Sequence, residues 1–122
     1  MKATTTAKFI CLVYFDGRKL QALTDAQRKA FDASSFAYDQ LLMKRGRYVV
    51  AEAFHGPKAA RTVKVRGKKV AAKDGPFAKA REPLGGFILI RAKNMREAEK
   101  IAAGIPLARL GSVEVRPIYD FS

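Results

Sequence analysis

The chain has 122 residues, 48% of them hydrophobic, and carries 24 lysines and arginines against 11 acids, a formal net charge of +13 at pH 7. This length fits one domain, and the hydrophobic share excludes a disordered chain. The single cysteine, Cys11, excludes an internal disulfide, and no apolar run approaches the roughly 18 residues of a membrane-crossing helix.

Residues 1–7 are polar and read as a flexible tail in front of one domain, with residues 1–122 forming a single unit. Lys8 to Phe15 reads as a strand with both alternating sets apolar: Phe9, Cys11, Val13 and Phe15 on one side, Ile10, Leu12 and Tyr14 on the other. Both faces of such a strand need cover. The run stops at Asp16-Gly17 without a small-residue cleavage pattern, so it is not read as a signal peptide. A cytoplasmic protein with a buried Cys11 thiol is expected.

Thr24-Asp25-Ala26-Gln27 forms a capping box that opens a helix to about Arg45. Phe31, Ser34, Tyr38, Leu41 and Leu42 supply its buried stripe. Gly46 provides a left-handed stop. Arg47 to Phe54 is a second strand, broken by His55-Gly56-Pro57. A hairpin follows, with Gly67-Lys68 as its two-residue turn. That turn sets Arg66 against Lys69, Val65 against Val70, Lys64 against Ala71, Val63 against Ala72, and Thr62 against Lys73. One hairpin face then carries Val63, Val65, Val70 and Ala72; the other carries Lys64, Arg66, Lys69 and Lys73. Like charges directly opposite cost stability, so this second face is either well solvated or has an anionic partner.

Asp74-Gly75-Pro76-Phe77 closes the hairpin, and Ala78 to Pro83 is a charged connector. Gly86 to Ala92 is a strand, again apolar on both sides. Asn94-Met95-Arg96-Glu97 reads as a second capping box, opening a helix that buries Ala98, Ile101 and Ala102. Ser112 to Ile118 is the last strand, with Val113 and Val115 on one face and Glu114 and Arg116 on the other. The order is α+β: a ferredoxin-like β-α-β-β-α-β arrangement with an inserted β-hairpin. Two helices cover one sheet face. The apolar second face calls for another sheet, and a homodimer supplies one.

Three segments together resemble the YciI-related (YCII/DGPF-domain) proteins: Asp74 to Phe77, Glu82-Pro83-Leu84-Gly85-Gly86-Phe87, and Gly111 to Pro117. The opening strand, Phe9 to Tyr14, fits as well. The resemblance runs from Lys8 to Ile118 and implies a dimeric α/β-barrel in which two ferredoxin-like sheets face each other. It implies less about chemistry: a pocket lined by polar residues, with enzymatic roles suggested, or a regulatory role, since genes of such members often lie near alternative sigma factors. This chain departs from the pattern in its basic charge and in Phe54-His55-Gly56 after Glu52.

The candidate catalytic residues are Asp74, His55 and Glu52. Asp74 is a general base or ligand contact on one reading and a turn aspartate bonding its own backbone on the other. His55, the only histidine, can carry a proton near neutral pH, and with Asp74 or Glu52 would form an acid/base dyad; the alternative is a loop histidine at a strand end. Candidate ligand contacts are Glu82, Tyr14 and Arg116. The alternative roles are turn orientation for Glu82, a core position for Tyr14 and an ion pair with Glu114 for Arg116. Lys64, Arg66, Lys69 and Lys73 are candidate anion contacts. No metal site or cofactor is expected, since a lone histidine with no Cys/His cluster lacks the ligand set, and no phosphate-loop glycine motif is present. The expected partners are a second copy and a small polar molecule. A non-catalytic regulatory dimer, or nucleic-acid binding through the basic hairpin, is the alternative.

Overall fold

A computed structural model describes residues 5–122. Of the segment read as a tail, residues 1–4 lie outside the described residues, and Ala7 already belongs to the first strand. The elements are β1 (Ala7–Phe15), α1 (Gly17–Gln21), α2 (Asp25–Lys44), β2 (Tyr48–Ala53), β3 (Arg61–Arg66), β4 (Lys69–Asp74), β5 (Leu84–Ala92), α3 (Met95–Ala103) and β6 (Gly111–Pro117). Four strands form an antiparallel sheet in the order β2-β5-β1-β6, the ferredoxin-like order, while β3 and β4 form a separate two-stranded sheet. The fold class is α+β, as the sequence indicates. Among the described residues no helix is long and apolar enough to cross a membrane.

Alternation along the central strands decides where the core lies. Phe9, Cys11 and Val13 on β1 and Ile88, Ile90 and Ala92 on β5 point to the helices and are buried, together with Leu42 of α2 and Ala98, Ile101 and Ala102 of α3. Their neighbours Ile10, Leu12 and Tyr14 on β1 and Phe87 and Leu89 on β5 point the other way and are only half-buried. The second apolar face expected from the sequence is therefore present and faces away from the core.

The local rules hold at α2. The Thr24 hydroxyl accepts the Gln27 N–H at 3.1 Å while the Gln27 side chain accepts the Thr24 N–H at 2.9 Å, a complete capping box. The stripe is narrower than expected: Leu42 is fully buried and Phe31 and Tyr38 are half-buried, but Ser34 and Leu41 are exposed. At α3 the expected box is only half formed. Asn94 accepts the Glu97 N–H at 2.9 Å, but the Glu97 carboxylate takes the Lys93 N–H at 3.0 Å and pairs with Arg47 at 2.9 Å. The Glu97 carboxylate thus serves Lys93 and Arg47 in place of the Asn94 N–H. The short helix α1, where the sequence reading has none, is capped by Asp16, whose carboxylate accepts the Arg18 N–H at 3.0 Å.

The hairpin register is the one the turn dictates, from Arg66 opposite Lys69 to Thr62 opposite Lys73, and it extends to Arg61 opposite Asp74. Gly67 has a φ of 60°, and among the described residues only glycines have positive φ, which matches a turn with glycine first. Only Thr62 in either arm is even partly buried, and neither arm packs closely on another element.

Candidate functional site

The connector from Asp74 to Leu84 folds back beneath the end of β2. Gly75 adopts a φ of 96°, a left-handed conformation that disfavours side-chain-bearing residues, and its N–H donates to the Ala60 carbonyl at 2.8 Å. The Thr62 hydroxyl donates to the Gly75 carbonyl at 2.8 Å. Asp74 and Arg61 are joined by an ion pair across the hairpin base. These bonds set where Pro76 and Phe77 lie. At the other end, the Phe15 N–H donates to the Pro83 carbonyl at 3.2 Å, and the Ser112 hydroxyl donates to Glu82 at 3.1 Å. Gly86 is needed because β2 runs close by: a Cβ there would lie 2.7 Å from the Glu52 carbonyl oxygen.

Between this connector and the loop after β2 lies a cavity of about 690 Å³. His55 and Tyr14 are its two side chains with strong hydrogen-bonding groups; Phe54, Pro76, Phe77 and Leu84 contribute apolar wall. Tyr14 belongs to the half-buried sheet face, so the cavity borders that face. Its hydroxyl donates to Glu114 at 3.4 Å. Burial, then the neighbouring Glu114 carboxylate, raise the Tyr14 phenol above its ordinary pKa, with Arg116 offsetting part of the effect. Tyr14 is thus a protonated donor at neutral pH.

The structure divides the sequence-derived candidates. His55 and Tyr14 meet at this cavity. Asp74 is highly exposed, paired with Arg61 and outside the cavity lining. No hydrogen bond joins Asp74 to His55. Glu52 lies on edge strand β2 opposite Phe87, and Glu82 ties the connector to β6 and, at 3.9 Å, to Lys19. Arg116 pairs with Glu114 at 3.7 Å on the open sheet face. Lys64, Arg66, Lys69 and Lys73 remain on the hairpin, and none of them forms an ion pair among the described residues.

One acidic residue escapes the sequence reading. Asp39 of α2 lines a second cavity, of about 290 Å³, with Tyr38, Tyr48 and Leu107 between the helix and the sheet. Burial raises its carboxyl above the ordinary value. Its place beside Tyr38 and three residues before Leu42 was the available signal, since both neighbours sit on the buried stripe. Among the described residues no group of three or more His, Cys, Asp or Glu side chains comes together to hold a metal.

No curated protein matches the chain. The family model for the YCII-related domain matches residues 7–122, from the first residue of β1 to the end, and by that match the chain belongs to the YCII-related domain family.

Proposed function

We propose that the chain acts as a homodimeric single-domain binding protein. In this reading each subunit holds a small molecule with an apolar body and one anionic or hydrogen-bond-accepting group. Facing sheets form the dimer, covering Ile10, Leu12, Phe87 and Leu89. His55 and Tyr14 engage the polar group, while Phe54, Pro76, Phe77 and Leu84 surround the apolar part. In a turnover reading His55 is the proton carrier, because an imidazole offers both a donor and an acceptor nitrogen while Tyr14 holds its proton. A reducing compartment suits the unpaired, buried Cys11.

The cavity of about 690 Å³, within the usual range of small-molecule sites and with only two polar side chains converging on it, carries this reading. The lining narrows the expected ligand from a polar molecule to one with a substantial apolar part.

The test is a calorimetric screen of aromatic and aliphatic carboxylates and phenols against the native chain, His55→Ala and Tyr14→Phe. A bound compound is expected to lose roughly tenfold or more in affinity on His55→Ala, the worth of one charge-assisted hydrogen bond. Asp74→Asn is expected to lower thermal stability more than affinity. Ligands that bind both pocket variants as well as the native chain would refute the assignment.

A further inference from the structure

The β3–β4 hairpin is a second chemical surface, which meets the cavity at Phe77. From Arg61 to Asp74 it contains six cations and one acid. The acid is already used, in the pair between Asp74 and Arg61. The register sets Lys64, Arg66, Lys69 and Lys73 on one face, and among the described residues no carboxylate neutralises any of them. Arg66 stands directly opposite Lys69, with Lys64 about 7 Å further along β3 and Lys73 about 14 Å further along β4, so the four cations line one face of the ribbon as an array. Such an array opposes ribbon formation through like-charge repulsion, and a polyanion relieves that cost.

A second observation fixes which polyanion. The charged face also carries an aromatic ring. Phe77 is 79% exposed, and the Lys64 ammonium lies 5.5 Å from its ring centre. A ring so exposed contributes little to the core, and the cation beside it holds it at the edge of the basic array. A row of cations with an exposed aromatic alongside is the arrangement that holds single strands: phosphates meet the cations and an unpaired base stacks on the ring. A duplex presents no free base face to Phe77. On the opposite hairpin face Val63, Val65 and Val70 offer no donors to base edges in a groove, and Arg61 is already paired with Asp74.

We propose that the hairpin binds single-stranded nucleic acid, with Lys64, Arg66, Lys69 and Lys73 on phosphates and Phe77 stacked on a base. Sequence discrimination is not part of the assignment, because every base offers a π-face.

The test is fluorescence anisotropy of a labelled twelve-nucleotide oligothymidylate with the full chain at about 50 and about 200 mM salt. Four phosphate contacts predict a loss of roughly 50-fold in affinity across that range. Phe77→Ala is expected to weaken binding about fivefold or more without changing the salt slope. Replacing the four cations by glutamine is expected to abolish measurable binding at both salt concentrations. Circular dichroism and thermal melting check that each variant keeps the fold, which is expected because neither arm packs closely on another element. Three results would overturn the proposal: a glutamine variant that binds like the native chain, an equal loss on neutralising Arg28, Lys29, Lys44 and Arg96 elsewhere, or equal affinity for the matching duplex. An unchanged affinity in Phe77→Ala would remove the single-strand assignment as well.

Discussion

Cys11 lies at the centre of the core, fully buried on β1 opposite Ile88. Burial pushes its thiol up from 9.0 to about 11. The native chain thus binds this proton more tightly than the unfolded chain, and the resulting stability is intact below about pH 9 and lost as pH rises through about 11. Denaturant midpoints of the native chain are expected to fall more steeply across that window than those of Cys11→Ala, and a thiol reagent at pH 8 is expected to label Cys11 only on unfolding. A Cys11 that reacts at once in the native chain would contradict the buried setting. The apolar run around it made this burial legible from the sequence. The partner of Asp74 was legible too: the hairpin register, carried one residue past Thr62 and Lys73, sets Arg61 against it. Asp74 thus follows neither reading: its carboxylate pairs with Arg61 across the hairpin base and not with its own turn backbone or a cavity group.

Among the elements, those with strong local signals matched expectation most closely. Thr24 and Gln27 fix the start of α2, and Gly67 fixes the hairpin register, because each signal lies within a few residues of what it determines. Two elements differ for physical reasons. α1 has only five residues, too few to show a helical period, and rests on the Asp16 cap. The Asn94 box loses its reciprocal bond because Glu97 pairs with Arg47, fifty positions earlier in the chain, a competition that no local pattern reveals. The hairpin also differs from the central sheet in stability. Its backbone bonds have no buried side chains above or below them, so they are expected to open without global unfolding. Hydrogen exchange of Val63, Val65 and Val70 is expected to be far faster than that of Ile88 and Ile90. Equal protection in both sheets would show that the ribbon is held by contacts beyond its own pairing.

For the whole molecule, the ferredoxin-like order and the doubly apolar central strands could be read from patterning, whereas the cavity could not. Its walls meet because Gly75 bonds to Ala60 and Pro83 to Phe15, contacts between segments whose spacing in the chain carries no trace of them. Asp39 was missed for a related reason: a lone acid on a helix looks solvated until the packing of β2 and the Pro106–Arg109 turn closes over it. The open face of the sheet yields a prediction at this scale. Light scattering is expected to give a dimer at micromolar concentration, and Leu12→Glu with Leu89→Glu to give a folded monomer, since both leucines face away from the core. A native chain that is monomeric throughout would leave Ile10, Leu12, Phe87 and Leu89 without their proposed cover. The hairpin carries one further consequence for many molecules together. It has two unpaired edges and a valine-rich face that is largely open, with Val63 at 60% and Val70 at 69% exposure, the features of a template for fibrillar strand addition. Its lysines and arginines act as gatekeepers, because stacking one ribbon on another would bring like charges into register at every layer. The positive charge proposed to hold an anionic strand thus also opposes stacking of the chain on its own copies, and that opposition weakens as salt screens the repulsion.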